Sequence, residues 1–109
     1  MMVDLTKREE LILISIWKLW GNAYIVTIRK NLMEMTGKSV NYGSLCNTLN
    51  SLVRKGFIQS EESAPEAIQG GRRKVLYTLT TEGKKALKHS YEIQKSAWEG
   101  INEFVFGVE

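Results

Sequence analysis

Residues 22–56, NAYIVTIRKNLMEMTGKSVNYGSLCNTLNSLVRKG, carry two apolar repeats at helical spacing on either side of a short polar turn. Tyr24, Ile28, Leu32 and Met35 recur every three or four residues behind Asn22, a good capping residue. A helix from Ala23 to about Met35 is therefore predicted, broken by Thr36-Gly37. After Lys38-Ser39-Val40-Asn41, residues Leu45, Leu49, Leu52 and Val53 share one face of a second helix. It ends at Lys55-Gly56, a cation and then a glycine, as a helix C-terminus prefers. Two helices joined by so tight a turn form a helix-turn-helix.

Toward the N-terminus, Thr6 and Glu9 have the spacing of a capping box, which starts a helix at about residue 7 and carries it to Trp20, where Gly21 ends it. Its body is apolar nearly all round, more than one small domain can cover, so a partner surface is implied. Toward the C-terminus, Phe57–Ser60 and Lys74–Leu79 read as two strands of a hairpin whose long polar loop contains Pro65 and Gly70-Gly71. Thr80 or Thr81 then caps a last helix from Glu82 to about Phe106, provided that it tolerates Gly83 and Gly100. The order helix, helix, helix, strand, strand, helix predicts a mainly α (α+β) fold. It is a winged helix-turn-helix with a two-stranded wing and a long C-terminal dimerisation helix. Residues 1–80 make the DNA-binding part, and residues 81–109 the assembly helix packed on the same core.

Composition narrows the function. In 109 residues, 43% hydrophobic and 25% charged, there is room for one ordinary globular core. The net charge of +3 is mild, but its distribution is not even. Between Lys18 and Lys55 stand six cations (Lys18, Arg29, Lys30, Lys38, Arg54, Lys55) against one acid, Glu34. The lone Cys46 excludes an intrachain disulfide and reads as a small buried filler at the edge of the core face. No cluster has metal-ligand spacing, and His89 and the scattered Ser and Glu residues form no catalytic pattern, so neither an enzyme nor a cofactor is expected. The most apolar run, Leu11–Trp17, is far shorter than the ~20 residues that span a bilayer, and acids precede it, so no membrane partner is expected and a cytoplasmic location fits.

Opposite the apolar stripe of the third helix stand Gly43, Ser44, Asn47, Asn50, Ser51 and Arg54, a small polar face free of acids. Asn pairs bidentately with adenine edges, Ser adapts to several edges and Arg reaches guanine or phosphate, so this face suits a DNA major groove. Lys38, Ser39, Asn41 and Tyr42 lead into it from the turn. Arg72, Arg73 and Lys74 leave the Gly-Gly turn of the wing, where Arg is drawn to a minor groove. Glu61, Glu62 and Glu66 on the other limb of the wing are placed to neutralise them. In the last helix Leu87, Tyr91, Gln94, Trp98, Ile101, Val105 and Val108 alternate at spacings of four and three, a coiled-coil-like seam in which only Gln94 is polar. With Leu11 and Ile14 of the first helix, Leu87, Tyr91, Trp98, Ile101 and Val105 are the candidate dimerisation surface.

Taken together, Leu5-Thr6-Lys7-Arg8-Glu9-Glu10, Tyr42-Gly43-Ser44-Leu45 with Leu49 and Leu52, Gly56-Phe57-Ile58, Gly70-Gly71-Arg72-Arg73-Lys74 and Tyr77-Thr78-Leu79-Thr80-Thr81-Glu82-Gly83 resemble the PadR family of transcriptional regulators over nearly the whole chain. The resemblance is to its shorter members, with a single C-terminal helix. It implies a homodimeric winged-helix repressor that places its third helix in the major groove and the wing near the minor groove, and dimerises through the last helix with help from the first. It also implies a small phenolic or planar hydrophobic effector held between subunits, for which Trp17 and Trp98 are the candidate lining residues. Cys46 stands where the family commonly has Tyr, and Thr81 where it commonly has Pro.

These readings converge on a regulator that binds double-stranded DNA at a pseudo-palindromic operator. Two alternatives share the fold: a non-specific architectural or plasmid-type DNA binder, and a winged helix that contacts proteins alone.

Overall fold

The computed structural model describes residues 4–63, 74–101 and 107. Its elements are α1 (Lys7–Lys18), α2 (Ile25–Thr36), α3 (Tyr42–Arg54), β1 (Ile58–Glu62), β2 (Val75–Leu79) and α4 (Thr81–Trp98). This is a winged helix-turn-helix, with four helices and an antiparallel hairpin that share one core.

Three of the four helices begin behind a residue whose side chain accepts from a free amide of the first turn. Thr6 Oγ1 accepts from Glu9 N at 3.1 Å and Glu9 Oε1 accepts from Thr6 N at 2.9 Å, the reciprocal pair expected at α1. Asn41 Oδ1 accepts from Ser44 N and Thr80 Oγ1 from Gly83 N, fixing the starts of α3 and α4. The start of α2 differs from expectation. Asn22 does not cap it; the helix opens two residues later than predicted, behind Tyr24. The cause is tertiary: the Ala23 carbonyl accepts from Tyr77 N of β2 at 2.8 Å, which holds residues 22–24 extended against the wing. Thr27 takes over the capping work, its hydroxyl accepting from Tyr24 N and donating to the Asn22 carbonyl.

The core joins Ile12, Leu13 and Ile16 of α1, Ile28 and Leu32 of α2, Leu45, Leu49 and Leu52 of α3, Phe57, Ile58, Leu79 and Ala86. Burying each large aliphatic side chain contributes about 1.5–3 kcal/mol. Ser15 is also fully buried, and its hydroxyl donates to Asn31 Oδ1 at 2.8 Å, tying α1 to α2 without an unpaired polar atom. The apolar circumference of α1 is divided. Ile12, Leu13 and Ile16 face the core, Leu11 and Ile14 are half-buried, and Trp17 is 52% exposed.

In the hairpin, Ile58 pairs with Leu79 and Glu62 with Val75, two residues beyond the predicted end of the first strand. The last helix is shorter than predicted. It ends at Trp98, and Gly100 takes φ +85°, a left-handed conformation that stops a helix and that glycine adopts without steric cost. The predicted stretch through Phe106, including Val105, lies outside the described residues. Gly83, by contrast, is accepted within α4 because its missing side chain lets the helix lie directly on the Phe57 backbone.

Candidate nucleic-acid interface

The three core leucines of α3 fix which face looks outward. Asn41, Tyr42, Gly43, Ser44, Asn47, Asn50 and Arg54 are all exposed, and Ser51 is half-buried. Lys38 and Ser39 are exposed in the turn just before them. Six of the predicted contact residues, Tyr42, Ser44, Asn47, Asn50, Ser51 and Arg54, thus stand on a 13-residue helix about 20 Å long at ~1.5 Å per residue, with Lys38, Ser39 and Asn41 in the turn before it, and none of the nine is an acid. Asn41 spends its carbonyl oxygen on the cap. The Asn47 side chain makes no hydrogen bond to any other described residue, which leaves its amide available to a base edge.

Cys46 is exposed, not a buried filler. It stands about 90° around the helix from the centre of the Leu45-Leu49-Leu52 stripe, too far to enter the core. Burial first, and then the nearby Cys46, push the Tyr77 phenol of β2 above its ordinary value. Asn50 Nδ2 approaches its sulfur at 3.8 Å.

Of the wing cations, Lys74 is half-buried. Its ammonium stands 4.3 Å from the centre of the Tyr24 ring, and its backbone exchanges hydrogen bonds with Ser63. It therefore braces the wing against the start of α2. Arg72 and Arg73 lie outside the described residues, as does the predicted neutralising acid Glu66.

Sequence reading missed Arg29. Its Nε donates to the Val40 carbonyl at 2.7 Å, and its guanidinium carbon stands 4.5 Å over the Tyr42 ring. It also missed the long-range partners of two adjacent carboxylates of α1. Glu9, nearly buried, accepts from Lys55 just beyond α3. Burial alone would raise its carboxyl, but hydrogen bonds from Lys55 and Thr6 and the charge of Lys55 outweigh this and hold it below its ordinary value. Glu10, 5% exposed, accepts from Ser90 at 2.6 Å and from Gln94, with Lys7 at 3.4 Å. The one polar member of the predicted seam is thus a ligand of Glu10. No local spacing announces the contacts with Lys55, Ser90 and Gln94, which join residues 46 to 84 positions apart in the chain.

Leu11, Ile14, Leu87, Tyr91 and Trp98, five of the predicted dimerisation residues, line a single apolar groove of about 820 Å³ between α1 and α4. Trp17 lines it as well, so both candidate effector residues share it. Tyr91 and Trp98 are 62% and 55% exposed. Ile101 lies past the end of α4, 44% exposed, and its amide donates to the Trp98 carbonyl. Among the described residues, no group of His, Cys, Asp and Glu could hold a metal, and no helix is long and apolar enough to cross a membrane.

The fold recurs in solved regulators. RosR of H. salinarum is 29% identical, with a TM-score of 0.66 over 92% of this chain and 83% of its own. A transcriptional regulator from Clostridium thermocellum is 25% identical, with a TM-score of 0.68 over 89% and 91%. A PadR family transcription regulator from Clostridium difficile R20291 is 23% identical and shares the fold, with a TM-score of 0.68 over 89% and 97%. No curated protein matches the sequence significantly. The sequence profile of the transcriptional regulator PadR-like family matches residues 13–89, from the buried stretch of α1 to the middle of α4. The outward polar face of α3, the wing paired beside it and this match agree: the chain belongs to the PadR-like family of transcriptional regulators, and is a DNA-binding regulator, not an enzyme.

Proposed function

We propose that this chain is a cytoplasmic, homodimeric repressor that reads a pseudo-palindromic operator with α3 and obstructs transcription. The observation that carries the reading is the pairing of two surfaces on one small core. One is the acid-free face of Lys38, Ser39, Tyr42, Ser44, Asn47, Asn50, Ser51 and Arg54. The other is the apolar groove between α1 and α4. Contiguous apolar surface of this kind marks an association site, and a second copy would cover Leu11, Ile14, Leu87, Tyr91 and Trp98. Residues 1–80 then serve DNA and residues 81–109 assembly. A groove of this size also falls in the ~300–1,000 Å³ range of small-molecule sites, which supports a planar hydrophobic effector held near Trp17 and Trp98. Such a ligand would release DNA by changing the angle between subunits.

Sedimentation of the wild type and of Tyr91→Glu, joined to selection of duplexes from a random pool, tests the reading. Tyr91 is exposed in the subunit, so its variant folds, but two carboxylates would meet in an apolar seam. The wild type should sediment as a dimer at micromolar concentration and enrich two-fold related half-sites about 34 Å apart, and Tyr91→Glu should do neither. A monomeric wild type refutes the dimer. A pool that yields no sequence favours the architectural binder, and a chain that retains no duplex favours the protein-contact alternative.

A further inference from the structure

Lys38, Ser39, Asn41 and Tyr42 reach DNA, on the reading above, from a four-residue turn and the first residue of α3. Such a segment reads bases only if its path is held. Side chains from α2 brace the backbone of the turn at two points: Thr36 Oγ1 accepts from Lys38 N at 3.2 Å where the turn begins, and Arg29 Nε donates to the Val40 carbonyl at 2.7 Å nearer the recognition helix. The same guanidinium lies over the ring of Tyr42 at 4.5 Å. A single half-buried residue therefore links the middle of α2, the turn and the entry of the recognition helix. Both contacts depend on the guanidinium plane. A lysine ammonium carries the same charge but cannot keep a fixed N–H on Val40 and a flat face on Tyr42 together.

From this geometry we infer that Arg29 is a positioning residue for operator recognition, setting the pose of Tyr42 and of the turn without being a DNA ligand itself. The inference rests on the sequence-specific reading proposed above. A plain surface cation would contribute charge and nothing else. A direct phosphate ligand would contribute about one unit of salt slope. A positioning residue leaves both intact and changes discrimination.

The test uses a duplex enriched from a random pool by the full-length wild type, and a scrambled duplex of the same composition. Affinity for each is measured across a salt series for wild type, Arg29→Lys, Arg29→Ala, Tyr42→Leu and Arg29→Lys with Tyr42→Leu. Arg29→Lys and Arg29→Ala should each lower the ratio of enriched to scrambled affinity by about tenfold or more, while the salt slope and the scrambled affinity stay at the wild-type values. Tyr42→Leu, at a 44% exposed position that tolerates truncation, removes the stack from the other side. It should give a similar loss, and the double variant should lose little more. Discrimination retained in Arg29→Lys overturns the inference. So does a slope that falls by about one in Arg29→Ala but not in Arg29→Lys, which would make Arg29 a phosphate ligand. Additive losses in the double variant also overturn it, since the two residues would then act separately. A wild type that enriches no sequence overturns the inference together with the reading beneath it, whereas the other outcomes leave that reading standing.

Discussion

Gly83→Ala should destabilise this protein, although alanine is the better helix former. Gly83 is buried in the first turn of α4, and a Cβ there would stand 1.9 Å from the Phe57 carbonyl oxygen and 2.9 Å from its carbonyl carbon. A relaxed C···O contact needs about 3.3 Å, so helix and strand would have to part by about 1.4 Å. The atoms in the way are backbone and cannot swing aside. The same Phe57 oxygen accepts from Thr80 N at 3.1 Å, and Thr80 Oγ1 donates to the Gly56 carbonyl at 2.6 Å. Weakening these two bonds costs about 1 kcal/mol each, and the overpacking about 1–3 kcal/mol. Against this stands a helix-propensity gain of about 1 kcal/mol. The net loss is roughly 2–4 kcal/mol, which in a domain of this size lowers Tm by roughly 10–25 °C. Urea and thermal unfolding followed by far-UV circular dichroism measure it. A variant as stable as the wild type would refute the close approach as the reason for glycine.

Asn47→Ala, on the free outward face, should cost about 1–3 kcal/mol of discrimination for each base that its amide reads and leave non-specific binding in place; binding isotherms on enriched and scrambled duplexes check it. Glu9→Gln should flatten the acid limb of the stability curve. The Glu9 carboxyl is held below its ordinary value in the folded state, so its contribution is present above the unfolded pKa of about 4.3 and is lost as pH falls through the folded value. Urea midpoints at neutral pH and at about pH 3 should therefore differ more for wild type than for the variant.

The parts of the fold that were legible are those governed by neighbours in the chain. The Thr6–Glu9 box and the Leu45-Leu49-Leu52 stripe depend on spacings of three and four residues, and the structure realises both. What misled were places where a distant backbone decides. Asn22 is a good cap by type, but the Ala23 carbonyl is taken by β2, and the helix starts later. Cys46 follows a fully buried leucine, yet its angle on α3 turns it to solvent. Gly83 and Gly100 are the same residue type within one apolar repeat. Only the contact with Phe57 makes the first a helix residue, and only its positive φ makes the second a terminator. The outward face of α3 could be read because exposed positions follow from the buried ones. Arg29 could not, because its value lies in meeting Val40 and Tyr42 across the turn.

The same contacts explain how so small a core can serve two surfaces. Glu9 and Glu10 are consecutive, so they leave α1 about 100° apart and bind in different directions. Glu9 holds Lys55, immediately after the recognition helix, and Glu10 holds Ser90 and Gln94 of α4. One turn of α1 thus ties the end of α3 to the middle of α4. Along α4 itself burial falls from the N-terminal to the C-terminal end: Gly83 and Ala86 are buried and Leu87 half-buried, whereas Tyr91 and Trp98 are open. The first half is anchored by Thr80 on the Gly56–Phe57 backbone and by the core, and in the second half Gln94 is held by Glu10 and by Lys7 of α1.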